Sequence, residues 1–136
     1  MMTRRSRARE CVVQLLYQHD VNPDDDAQGD TFLMRRLKSD TELILFAKSL
    51  IAGVIERIDE LDALLDEISE HWTLKRMGVT DRNVLRLGAY EILHTDTPDR
   101  SAINEAVQLA KRFGSEQSPQ FVNGLLDRLM HQQYDE

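Results

Sequence analysis

The sequence predicts an all-α protein. Apolar residues recur at three- and four-residue steps along most of the chain, the spacing of one helical face. Aromatic residues are 6% of the composition, and 136 residues contain six glycines and three prolines, few turn-formers for a sandwich of short strands. No segment requires a β-strand. This length corresponds to one domain that can bury a core without disulfides or a metal.

The first helix is expected over about Thr3 to His19, with Ala8, Val12, Leu15, Leu16 and His19 on one face. Asn22-Pro23 and the aspartates after it end that helix, and the segment to Gly29 reads as a mobile acidic loop. A short helix follows over Thr31 to Lys38. Ser39-Asp40 then offers an N-cap to a long amphipathic helix reaching about Glu70, carrying Leu43, Phe46, Leu50, Val54, Leu61 and Leu65. Gly53 lies inside it and marks either a close crossing or a bend. A break at His71-Trp72-Thr73 leads through a short turn to Gly78.

The next helix runs to about His94, capped by Thr80 or Asp81, and is apolar over most of its circumference. Asp96-Thr97-Pro98-Asp99 separates it from a helix ending at Phe113, where Gly114 supplies the stop. Ser118-Pro119 is a strong start signal for the last helix, which is expected to fray after Gln132. The chain thus reads as two packed helical halves, about 1–70 and 78–133.

Net charge is −7, unevenly spread. Residues 1–19 carry Arg4, Arg5, Arg7 and Arg9 against Glu10, whereas residues 20–70 are strongly acidic. A basic terminus on an acidic body concentrates phosphate affinity in one place, or is simply a solvated end. The four arginines oppose the helix dipole at their own N-terminus, which argues for a role other than helix stability.

Little in the sequence points to catalysis. The four histidines are scattered, and one cysteine, Cys11, sits in an apolar pattern and reads as a core residue of a protein in a reducing compartment. No phosphate-cradling glycine loop, nucleophile elbow or EF-hand pattern is present. The expectation is no enzyme activity, no cofactor and no metal. Polar residues interrupt the first apolar run, and no stretch approaches the roughly 20 apolar residues that span a bilayer, so a cytoplasmic protein is expected.

Binding is the positive signal. Arginine presents flat donors that suit phosphates and stack on bases. Tyr17 lies near the cluster, and Phe121 opens the last helix; each is either a platform for an unpaired base or a core side chain. Arg82, Arg86 and Tyr90 form an i, i+4, i+8 stripe, read equally as a solvated face or a docking strip.

Four segments carry a family resemblance. Arg4-Arg5-Ser6-Arg7-Ala8-Arg9-Glu10, running into Val13-Gln14-Leu15-Leu16-Tyr17, resembles the opening of the NusB family. Asn83-Val84-Leu85-Arg86-Leu87-Gly88-Ala89-Tyr90-Glu91-Ile92-Leu93 is similar to its central helix. Ala102-Ile103-Asn104-Glu105-Ala106-Val107 and Phe121-Val122-Asn123-Gly124-Leu125-Leu126-Asp127 resemble its later signatures.

The resemblance implies a compact unit of about seven helices in two subdomains. It implies an RNA ligand, the boxA element of ribosomal operon leaders, bound with the ribosomal protein NusE. Further Nus factors and RNA polymerase would be engaged indirectly, and monomer and homodimer both stay open. By position, the RNA surface would combine Arg4, Arg5, Arg7, Arg9, Gln14 and Tyr17 with Gln117, Gln120 and Phe121. The NusE surface would comprise Asp81, Arg82, Arg86 and Tyr90. Asn104 and Asn123 are expected to hydrogen-bond backbone. Ser6 interrupts the family's basic run, and Gln117 and Gln120 are uncharged. The nearest alternative is the related helical domain of RsmB-type ribosomal RNA cytosine methyltransferases, whose catalytic domain has no counterpart before Glu136.

Overall fold

A computed structural model describes residues 3–24, 29–69 and 76–134. Among them are seven α-helices and no strand: α1 Arg4–Val21, α2 Gly29–Arg36, α3 Thr41–Glu56, α4 Ile58–Ile68, α5 Val79–His94, α6 Asp99–Phe113 and α7 Ser118–Tyr134. None is long and apolar enough to cross a membrane.

Local chemistry accounts for most boundaries. Thr3 caps α1, its side chain accepting from the Ser6 amide. Asp40 caps α3 as expected, accepting from the Leu43 amide at 3.2 Å. Just before it, Lys38 and Ser39 take positive φ values of 55° and 59°, a left-handed pair that ends α2 two residues earlier than its sequence suggests. Gly114 ends α6 at a φ of −96°, so glycine is needed here for space: a Cβ would meet the Ser118 hydroxyl at 2.5 Å.

Two expectations are corrected. The single helix expected over 40–70 is broken at Arg57, whose backbone (φ −113°, ψ 20°) leaves helical geometry while its N–H is shared between the carbonyls of Gly53 and Val54. The change of direction lets Leu61 and Leu65 of α4 bury completely as α4 reaches α5 and α7. The N-cap of α5 is Gly78, without a side-chain bond, rather than Thr80 or Asp81. The expected break at 71–73, and positions 25–28 of the acidic loop, lie outside the described residues.

Helix α5 is the hub, touching α1, α3, α4, α6 and α7. One continuous apolar core includes Leu16, Leu33, Leu61, Leu85, Ile103 and Leu126, each under 2% exposed. Full burial of such a leucine or isoleucine contributes roughly 1.5–3 kcal/mol. Cys11 is among these core residues, and burial pushes its thiol pKa up. Gly53 does mark a close crossing: the Tyr90 ring of α5 lies where a Cβ would sit, 2.1 Å from that position.

Candidate nucleic-acid interface

The four N-terminal arginines point in different directions because successive residues of a helix turn through about 100°. Arg4 pairs with Asp40, the cap of α3, which holds that carboxylate below its ordinary pKa through a hydrogen bond. Arg5 stacks at 4.4 Å over the Phe46 ring of α3 while its residue stays exposed. Arg7 is exposed and has no ion-pair partner among the described residues.

Arg9 is the exception to the expected RNA tract. It is only 5% exposed and forks onto Glu91 of α5, with Nε to Oε2 at 2.9 Å and Nη2 to Oε1 at 2.8 Å. Glu105 of α6 lies 3.7 Å from the same guanidinium, and Thr97 donates to Glu91 at 3.2 Å. A buried guanidinium spent on a bidentate carboxylate serves as an interior joint between α1, α5 and α6, not as a phosphate contact.

Gln14 and Tyr17 share one α1 stripe with Thr3, Arg7 and Glu10, at steps of three and four; Thr3, Arg7 and Tyr17 are exposed, and Glu10 and Gln14 are half-buried. With Val13 and Thr80 they line a hollow of about 300 Å³ against Phe113, at the end of α6. Tyr17 is 41% exposed and therefore available. Phe121 is half-buried against the core, so the larger part of its ring is a packing group. Gln117 and Gln120 are exposed in the connection and first turn beyond Phe113. Arg4 and Arg5 lean onto α3 instead.

The second stripe, expected as a solvated face or docking strip, is mostly an internal seam. Arg86 is 6% exposed and bonds both oxygens of Asp62 on α4 at 2.7 Å, with a third contact to Asp20 of α1 at 3.1 Å. Burial would lower its pKa, yet the carboxylates outweigh that and raise it. Arg82 also binds Asp20 at 2.8 Å, and Asn83 donates to the same oxygen at 3.0 Å. For Asp20, burial pushes the pKa up, but these hydrogen bonds and the Arg86 charge bring it below the ordinary value. Tyr90 covers Gly53 and tilts against His94. Of the four residues, Asp81 alone presents a buried oxygen, Oδ1, without a hydrogen-bond partner.

Periodicity and charge pattern do not single out the partners that position these arginines: Glu91 holds Arg9, Phe46 carries Arg5, and Asp20 and Asp62 hold Arg86. Phe113, the end of α6, lines the hollow at Tyr17. Asn104 and Asn123 were expected to bond backbone; both are exposed and make no such bond among the described residues. No group of three or more His, Cys, Asp or Glu residues among those described is placed to hold a metal.

The chain matches the model of the NusB family over residues 6–131. It is 44% identical over 134 residues to transcription antitermination protein NusB of Anaeromyxobacter dehalogenans, covering 95% of this chain and 92% of that one. The protein of the same name from Streptomyces coelicolor is 42% identical over 132 residues, covering 94% and 93%. Among solved structures, NusB of T. maritima superposes with a TM-score of 0.84 at 40% identity, covering 96% of this chain and 93% of that chain. A crystal structure of antitermination factors NusB and NusE in complex with dsRNA gives 0.83 at 25% identity, covering 96% and 98%.

Proposed function

The chain belongs to the NusB family of transcription antitermination proteins, and from that membership we propose that it binds boxA RNA of ribosomal operon leaders jointly with NusE, without catalysis. The observation that carries the reading is the α1 stripe on which uncommitted Arg7 lies in line with Gln14 and Tyr17, the last two opening onto a hollow edged by Phe113. A cation, an amide and the exposed Tyr17 ring in one line supply a phosphate contact, a base-edge contact and a stacking surface for an unpaired strand. The solved complex of NusB, NusE and dsRNA, similar to this chain along nearly its whole length, supports RNA and NusE as the ligands.

For the NusE face, the supporting feature is Asp81. An unsatisfied buried carboxylate oxygen is costly, and turning the half-buried side chain outward to a partner's donor would relieve it. Arg82, Arg86 and Tyr90 then act beneath that face, fixing α5 rather than meeting the partner. Further Nus factors and RNA polymerase would join through the assembled complex.

The test is a titration of boxA RNA, alone and with NusE, beside a scrambled RNA. Tighter binding of boxA when NusE is present is the expected result; equal affinity for the scrambled strand would sink the sequence-specific reading. The Arg5→Ala/Arg7→Ala double variant should weaken binding without changing the far-ultraviolet circular dichroism. Asp81→Ala should weaken the NusE complex on a sizing column.

A further inference from the structure

We propose that the groove between α1 and α6 continues the RNA track, with Lys111 and Arg112 as a second cationic wall across from Thr3, Ser6 and Glu10 of α1; this rests on the RNA-binding reading above. The groove has a volume of about 610 Å³ and is lined by Thr3, Ser6 and Glu10 of α1 and by Asn104, Gln108, Lys111 and Arg112 of α6. It runs along the same α1 stripe as the hollow at Tyr17. Arg112 lines this groove and Phe113 lines the hollow, with the guanidinium 5.8 Å from the ring centre, so the two depressions are neighbours at the C-terminal end of α6.

Charge placement favours a polyanion. Lys111 is exposed and unpaired among the described residues. Arg112 is 66% exposed and held at 3.8 Å by Glu10, which is only 19% exposed, so the carboxylate is recessed and the cation stands outward. Glu105, the other acid in the groove, is occupied by the Ser6 hydroxyl at 2.7 Å and by Arg9. The exposed amides of Asn104 and Gln108 have no hydrogen-bond partner among the described residues and offer both donors and acceptors to a sugar or base edge. Because Gln117 and Gln120 carry no charge, the end of α6 provides the cations on this side of the molecule.

The experiment measures boxA RNA affinity in the presence of NusE across a salt series, for the native chain, Lys111→Gln/Arg112→Gln, Arg7→Gln and Gln108→Lys. All four positions are exposed, and circular dichroism checks each fold. Each phosphate contact to a single strand contributes about 0.7 to the slope of log affinity against log salt, so the α6 double variant should lose about 1.4. Its deficit should widen as salt falls, and Gln108→Lys should steepen the slope. A reduced slope for Arg7→Gln beside unchanged slopes for all α6 variants overturns the second wall while leaving RNA binding intact. Failure of the native chain to bind RNA with NusE overturns the underlying reading itself.

Discussion

Arg86 and Asp62 meet fork to fork, two hydrogen bonds of 2.7 Å joining the hub helix α5 to α4. The same guanidinium reaches Asp20, so one side chain ties together α1, α4 and α5. Removing one partner of a buried pair leaves the other charge desolvated, which costs about 3–5 kcal/mol. Asp62 keeps some solvent contact, with 29% of its side chain exposed, so Arg86→Met should destabilise by the lower part of that range, about 3 kcal/mol. Urea denaturation measures it. A loss below about 0.5 kcal/mol, the level of an ordinary surface substitution, would refute the role of this pair as a structural joint.

Gly53 and Tyr90 yield the second prediction. Alanine at 53 would gain up to about 1 kcal/mol in helix propensity, but its methyl would occupy the space of the Tyr90 ring. Overpacking of this kind costs about 1–3 kcal/mol, so Gly53→Ala should be net destabilising. Combining it with Tyr90→Leu should cost less than the sum of the two single changes, because the shorter side chain vacates the space. Additive losses in the double-mutant cycle would show that the two residues do not share that space.

Asp20 gives a pH dependence with a definite sign. Its folded-state pKa is below the ordinary value, so the stabilisation is complete at neutral pH. It drains as pH falls through the ordinary aspartate value of about 3.9 toward the lower folded-state value. Hydrogen bonds to a charged group contribute about 1.5–3 kcal/mol, so Asp20→Asn should lower stability at pH 7 by that order and flatten the loss between pH 5 and 3. Parallel stability curves for the two proteins over that interval would contradict it.

These joints explain what the sequence revealed and what it hid. The helices were legible because Val84 and Leu87 in α5, and Ile103 and Ala106 in α6, repeat at helical steps and because Asp40 and Ser118-Pro119 mark their own starts. The break at Arg57 has no proline or glycine at the position itself; its reason is the burial of Leu61 and Leu65 against other helices. Arg9 carried a readable signal, since it falls in register with Val12 and Leu16 on the apolar face. Glu91 likewise falls in register with Val84 and Leu87. A charge inside an apolar stripe asks for an opposite charge, but pattern alone does not say which one lies 82 residues away. For the same reason Arg82 and Arg86 read as surface: their acids come from α1 and α4, and only the packing brings them near.

The arginine tract should therefore split into residues that hold the fold and residues that hold RNA. Arg9→Ala leaves Glu91, itself 1% exposed, without its bidentate partner, and a loss of about 3–5 kcal/mol is expected. Arg7→Ala removes an exposed side chain with no ion pair, so its stability should stay within about 0.5 kcal/mol of the native chain. In boxA titrations with NusE at low temperature, where both proteins remain folded, the ranking should reverse. Arg7→Ala should lower the salt dependence by one contact, whereas Arg9→Ala should retain it because its guanidinium never reached solvent. An Arg9→Ala protein that stays folded at native stability but loses salt-dependent RNA affinity would mean that the interior pair opens on binding, with Arg9 turning outward to the phosphate.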